Sequence, residues 1–158
     1  MMTKPCSFAV AVLVALPLVT QAQSNPKFGT WKLNPAKSKL NGPPPRSDTR
    51  VYEDRGSGVF HSTRTGVDAR GEPFLSQYAA KVDGKEYPRL VKGSGAMSSI
   101  AFTMIDARSV AWTVKIDGEV AMTGTSVVSE DERMLTTTVR RADARGQRIE
   151  TVSVYDKQ

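Results

Sequence analysis

The sequence predicts an all-β protein, an antiparallel up-and-down β-barrel of about 8–10 strands. Three observations carry that expectation. Turn signals built from Asp, Gly and Arg recur roughly every 10 to 15 residues, the spacing of strands joined by hairpins rather than by crossover helices. Between them the chain is rich in β-branched and aromatic residues, with stretches of strict alternation. No window holds three turns of helical periodicity. Closing such a meander into a barrel removes the open edges that invite aggregation. A β-sandwich is the alternative, but Greek-key connections are long, and the chain offers a single long connection.

Taken in order, the chain opens on an export signature, residues 1 to 22. Lys4 supplies a positive start, "FAVAVLVALPLV" (residues 8 to 19) an apolar core, and Thr20 and Ala22 the small residues before a cut. The apolar run is shorter than the about 20 residues of a bilayer-spanning helix, which makes a retained anchor the lesser reading. Cleavage after Ala22 leaves residues 23 to 158 as one domain, periplasmic or secreted.

The first strand is expected at 28–34, in "FGTWKL", followed by the long connection "PAKSKLNGPPPRS", residues 35 to 47. Its three consecutive prolines fix an extended, semi-rigid path, a candidate lip over one end of the barrel. Strands at 48–55 and 59–66 flank the turn Arg55–Gly58, and the turn Asp68–Gly71 leads into a strand at 72–82. After Asp83-Gly84 comes a strand at 85–92, weakened by Pro88, which cannot donate to a sheet ladder. Gly93–Gly95 precedes 96–105, and Asp106–Arg108 precedes 108–116, where "SVAWTVKI" alternates Val110, Trp112, Val114 and Ile116 against small or polar residues. Asp117-Gly118, Glu130–Arg133 and Asp143–Gly146 then bound strands at 119–129, 133–142 and 147–156. "DARG" occurs twice and "DAR" a third time, which reads as recurring turn chemistry, since the flanking segments do not repeat.

Composition narrows the function. Cys6 is the only cysteine and leaves with the signal, so the domain stands without disulfides or thiol chemistry. His61 is the only histidine, and it stands opposite Phe60 on its strand, as a surface or rim residue. A Ser-His-Asp triad would have to use it, no structural zinc is expected, and no cofactor is implied. The net charge of +6 is spread along the chain beside acids, as a solvated basic surface is. No aromatic residues interleave with basic clusters, so nucleic acid is not an expected partner, and no further segment suits stable membrane insertion.

"FGTWKL" resembles the opening strand of the calycin superfamily, the lipocalins and fatty-acid-binding proteins, which start with Gly-x-Trp, here Gly29 and Trp31. The closing stretch "LTTTVRRADARGQRIETVSVYDKQ" is similar to the last hairpin of a fatty-acid-binding protein. "GTWKLNPAKSK" also looks like the start of small exported bacterial proteins described as lipocalin-like. The resemblance implies a barrel with Trp31 as a structural plug and a ligand cavity inside, and it implies that Tyr155 faces that cavity. Two departures stand out. The Pro-rich connection replaces a helical lid, and Ser153 stands where many fatty-acid-binding proteins carry an arginine paired with the tyrosine.

If Tyr155 faces inward, so do Ser153, Thr151 and Ile149 by period-two alternation. Trp112, Tyr78, Phe102 and Phe60 are the other candidate cavity residues, with Arg140 or Arg64 as the cationic partner of a small lipophilic ligand. The expected function is carriage of a small apolar or amphipathic molecule. A barrel that binds nothing and acts through its basic surface, as an interaction or envelope-stress protein, is the alternative. A calycin-type isomerase or hydrolase stands third, because fold does not fix function.

Overall fold

The computed structural model describes residues 25–158, so the expected signal segment, residues 1 to 22, and Cys6 lie outside the described residues. The ten strands are β1 (Gly29–Leu33), β2 (Ser47–Asp54), β3 (Phe60–Val67), β4 (Pro73–Ala80), β5 (Glu86–Val91), β6 (Ser98–Asp106), β7 (Ser109–Ile116), β8 (Glu119–Val128), β9 (Met134–Ala142) and β10 (Arg148–Lys157). Each pairs antiparallel with its neighbours in sequence, and β1 also pairs with β10, which closes the barrel. The sandwich alternative is thereby excluded. No helix among the described residues is long and apolar enough to cross a membrane.

The turns are made as their sequences dictate. In the hairpin after β3, Asp68 Oδ1 accepts from the backbone N–H groups of Arg70 and Glu72, both at 2.9 Å. In the hairpin after β9, Asp143 Oδ1 accepts from Arg145 and Gln147 at 2.8 and 2.9 Å. The "DARG" repeat is therefore one Asx-turn used twice, each with its glycine at positive φ, and Asp106 starts the third turn with the same bond to the Arg108 N–H.

The long connection behaves in two halves. Asn34 caps a single 3-10 turn at Pro35–Lys37, a local structure that the sequence reading left as loop. Beyond it, Lys39 pairs with Val152 and the Asn41 amide donates to the Glu150 carbonyl, so this half is stitched along β10 rather than laid over an opening. The proline half reaches the barrel mouth, where Pro43 and Pro45 line a depression with Arg64, Arg70, Arg89, Phe74 and Arg141.

One stretch of the wall is thin. β5 pairs with β4 at three positions, 89 to 91, and with β6 at three others, 86 to 88. Pro88 sits at the changeover, where a residue without an N–H costs the ladder least.

The core fills the end of the barrel where the chain enters. Trp31 is fully buried, and its Nε1–H donates to the Lys27 carbonyl at 2.8 Å, which anchors the segment before β1 across that end. Tyr52, Phe60, Ile100, Phe102, Val114, Val128, Leu135 and Tyr155 complete a continuous cluster. Gly29 carries φ +123°, a conformation that side chains avoid, and so lets the chain turn into β1 beside Lys157.

Candidate functional site

The interior is not uniformly apolar. Inward alternation on β2 brings Asp48, Arg50 and Tyr52 into the lumen, and β3 adds Ser62 and Arg64. From β4 come Ser76 and Tyr78, from β5 Arg89, and from β7 Trp112 and Val114, while Lys27 enters from the segment before β1. All of these except Asp48, together with Ile100, Phe102, Met122, Ser126 and Val139, line a cavity of about 90 Å³. Arg64, Ser76 and Arg89 also line the mouth depression, so the cavity leads to it.

Asp48 organises the polar wall. It is 2 % exposed and accepts from Arg64 Nε at 3.0 Å and Nη2 at 2.7 Å, a two-pronged ion pair, and from the Tyr155 hydroxyl at 2.9 Å. Burial alone would raise its carboxyl, but Arg64, Arg50 and Tyr155 outweigh that and hold it below the usual carboxylate range.

Arg50 has no such partner. Its guanidinium stacks over the Tyr155 ring, 4.6 Å from the centroid, and its buried Nε–H finds no acceptor among the described residues. Burial disfavours its charge, yet Tyr155, Tyr52 and Asp48 favour it more strongly, and the group stays cationic. Arg89 donates only to Ser98 Oγ, at 3.3 Å; burial and the neighbouring arginines lower its pKa. Four basic side chains thus line the cavity, and one carboxylate, Asp48, meets them.

The tyrosines respond to this field. Burial would raise the Tyr52 hydroxyl, but Lys27 and Arg50 overcome it and hold it down at about 8. Tyr78 moves the opposite way, pushed up by burial and by Tyr52 beside it.

The apolar wall carries the aromatic residues singled out in the sequence. Tyr78 and Phe102 line the cavity with their ring centroids 5.5 Å apart, and Phe60 packs edge-on to Phe102 at 5.2 Å, behind the cavity rather than in it. Trp112 lies across the lumen with its Nε1–H donated to Ser126 Oγ at 3.2 Å. Gly124, opposite it on β8, makes that pose possible, because a Cβ there would run into the indole ring and the Thr138 carbonyl. Tyr155 is fully buried as part of the polar wall.

Arg140 is a correction. The register sets it opposite Glu150 on the outer face, where it is exposed and Nε donates to Glu150 at 2.7 Å. It sits one residue from Val139, which lines the cavity, and adjacent residues on a strand point to opposite faces. Ser153 pairs with the inward Thr137 and is half-buried, without lining the cavity. His61 stands on the outer face, 3.3 Å from Glu53.

Sequence reasoning missed Lys27, Arg50 and Arg89. Arg50 and Arg89 carried a signal, since each alternates in phase with a tyrosine two residues away, Tyr52 and Tyr87. Lys27 lies before the first strand, where alternation says nothing.

No family model matches the chain, and no curated protein matches it. Among solved structures, one similar chain is that of "Structure of EF1p2_mFAP2b bound to DFHBI", with 8% identity and a TM-score of 0.47, covering 84% of this chain and 94% of that one. At that identity and score the likeness carries no statement about ligand or chemistry.

Proposed function

We infer that this protein is a small-molecule-binding barrel whose lumen takes a compact amphipathic anion. Its charged group would lie against Arg50 and Arg89, and its apolar part against Trp112, Phe102 and Val114. One observation carries the reading: Arg50 is a cavity-lining cation whose buried Nε–H has no acceptor. An unmade hydrogen bond from a buried donor is costly, and an oxyanion would satisfy it. The cavity limits the size. A dry cavity of about 150 Å³ accommodates benzene, so about 90 Å³ calls for a few heavy atoms rather than a long acyl chain.

The deciding experiment is titration with a short carboxylate and with its neutral amide, followed by calorimetry and tryptophan fluorescence. The carboxylate is expected to bind at least about ten-fold more tightly, the worth of one charge-assisted hydrogen bond. Arg50→Met should abolish that preference. Equal binding of acid and amide, or binding of neither, overturns the reading.

The export pattern of residues 1 to 22 supports action outside the cytoplasm, as a carrier in the periplasm or medium. The intact mass of protein taken from its native host tests this. A mass that still contains Cys6 overturns it.

A further inference from the structure

We propose that Lys27 is a nucleophile that captures a small oxo acid inside the barrel as an imine. The proposal rests on the anion-binding reading above, which supplies the site for the acid's carboxylate.

Lys27 is an unusual lysine. The residue is 8% exposed, and no carboxylate among the described residues pairs with it. Its Nζ lies over three aromatic rings, 4.4 Å from the centroid of Tyr52, 5.1 Å from Phe102 and 5.3 Å from Phe60. Such faces attract an ammonium, but they do not replace water. Burial lowers its pKa, Arg50 adds to the lowering, and Tyr52 opposes it in part. The free amine is therefore more accessible at neutral pH than that of a surface lysine, and it faces the cavity that Arg50 and Arg89 share.

The chemistry balances without an oxidant or reductant. The amine lone pair attacks the ligand's carbonyl carbon, and as nitrogen gives up one proton the carbonyl oxygen takes one, which gives a carbinolamine. The carbinolamine oxygen then takes a second proton and leaves as water, and nitrogen gives up its remaining proton as the neutral C=N bond forms. Tyr52 is the hydroxyl-bearing side chain nearest to exchange those protons, since its ring lies beneath the amine. The other ionisable groups around the cavity are Arg50, Arg64, Arg89, Tyr78 and Asp48. Of these Asp48 is already paired with Arg64, which leaves Arg50 and Arg89 for the carboxylate. A compact oxo acid has both groups within the length of a few bonds, in keeping with the cavity.

The test is reductive trapping on the full chain. Pyruvate and, separately, glyoxylate are added with cyanoborohydride at neutral pH, and adducts are mapped by peptide mass spectrometry. Lys27 is expected to carry the most label of any lysine, because burial leaves more of it as free amine. Its labelling should also level off at lower pH than that of a lysine in a free reference peptide. Acetate, which lacks the carbonyl, should compete.

Label spread evenly over the lysines, or absent from Lys27, overturns the proposal. Fluorescence titration of Lys27→Met with the same acids separates the two readings. Retained binding with no wild-type label at Lys27 removes the imine and leaves the anion site standing. Loss of binding in both proteins, with no label, removes both.

Discussion

At Asp48 one carboxylate answers donors from two strands, Arg64 on β3 and the Tyr155 hydroxyl on β10. Asp48→Ala strands both donors and should cost about 2–4 kcal/mol, toward the lower end because Arg64 keeps contact with solvent. The pH dependence has a definite sign. The folded-state value lies below the unfolded one, so the stabilisation is present above the ordinary carboxylate range and lost as pH falls through the folded value. Urea midpoints between neutral and acid pH should fall in the wild type, and part of that fall should vanish in Asp48→Ala. Lys27 has the opposite character. Its folded value is lowered, so the folded state resists protonation, and stability rises with pH between the folded and unfolded values. Lys27→Met should flatten that rise and raise the neutral-pH midpoint. The two tryptophans separate likewise: Trp31→Ala should cost about 3–5 kcal/mol, whereas Trp112→Phe should cost much less and remove the fluorescence change on ligand binding.

At the scale of strands, the β7–β8 pair joins packing to site. Gly124 is the vacancy into which Trp112 lies. Gly124→Ala should destabilise by about 1–3 kcal/mol, the usual range for overpacking, and shift Trp112 emission in the absence of any ligand. The same pair shows what a sequence can disclose. The strands were legible to within about two residues, because hairpin turns carry their own chemistry and inward positions their own alternation. Trp112 could be placed inside from β7 alone. The polar half of the site was harder, because an inward arginine looks like a surface arginine until its strand's phase is fixed. Arg140 and Arg50 are the two sides of that ambiguity: the first lies exposed against Glu150, and the second lines the lumen. The phase of β2 is hinted at by Tyr52 two residues on and fixed by its register with β3, a pairing between segments.

Across the whole molecule, the ladders are shortest around β5, which meets each neighbour at three positions, and at the β1–β10 seam, which also pairs at three. Amide exchange should therefore be among the fastest of any strand in β5 and slowest around β7–β8–β9, where the ladders are long. Exchange in β5 as slow as in β8 would show that side-chain packing, not the ladder, holds that wall. The residues that the lumen shares with the mouth depression, Arg64, Ser76 and Arg89, include one on this same strand. A ligand that bridges Arg89 and Arg50 should slow β5 exchange measurably.

The pairing of β1 with β10 has a consequence of another kind. Strand neighbours in space are strand neighbours in sequence all the way round, and the final backbone N–H, that of Gln158, bonds to the Thr30 carbonyl at 3.0 Å. Such a ladder is a cycle, and a cycle has no privileged first member. A circular permutant that joins Gln158 to Asn25 through a short flexible linker and opens at the exposed Asp83-Gly84 turn should lay down the same cylinder from a different starting strand. Its new ends would fall beside β5, whose ladders have three pairs each, so covalent order, moved to a weak stave, becomes a means of adjusting how readily the lumen is reached.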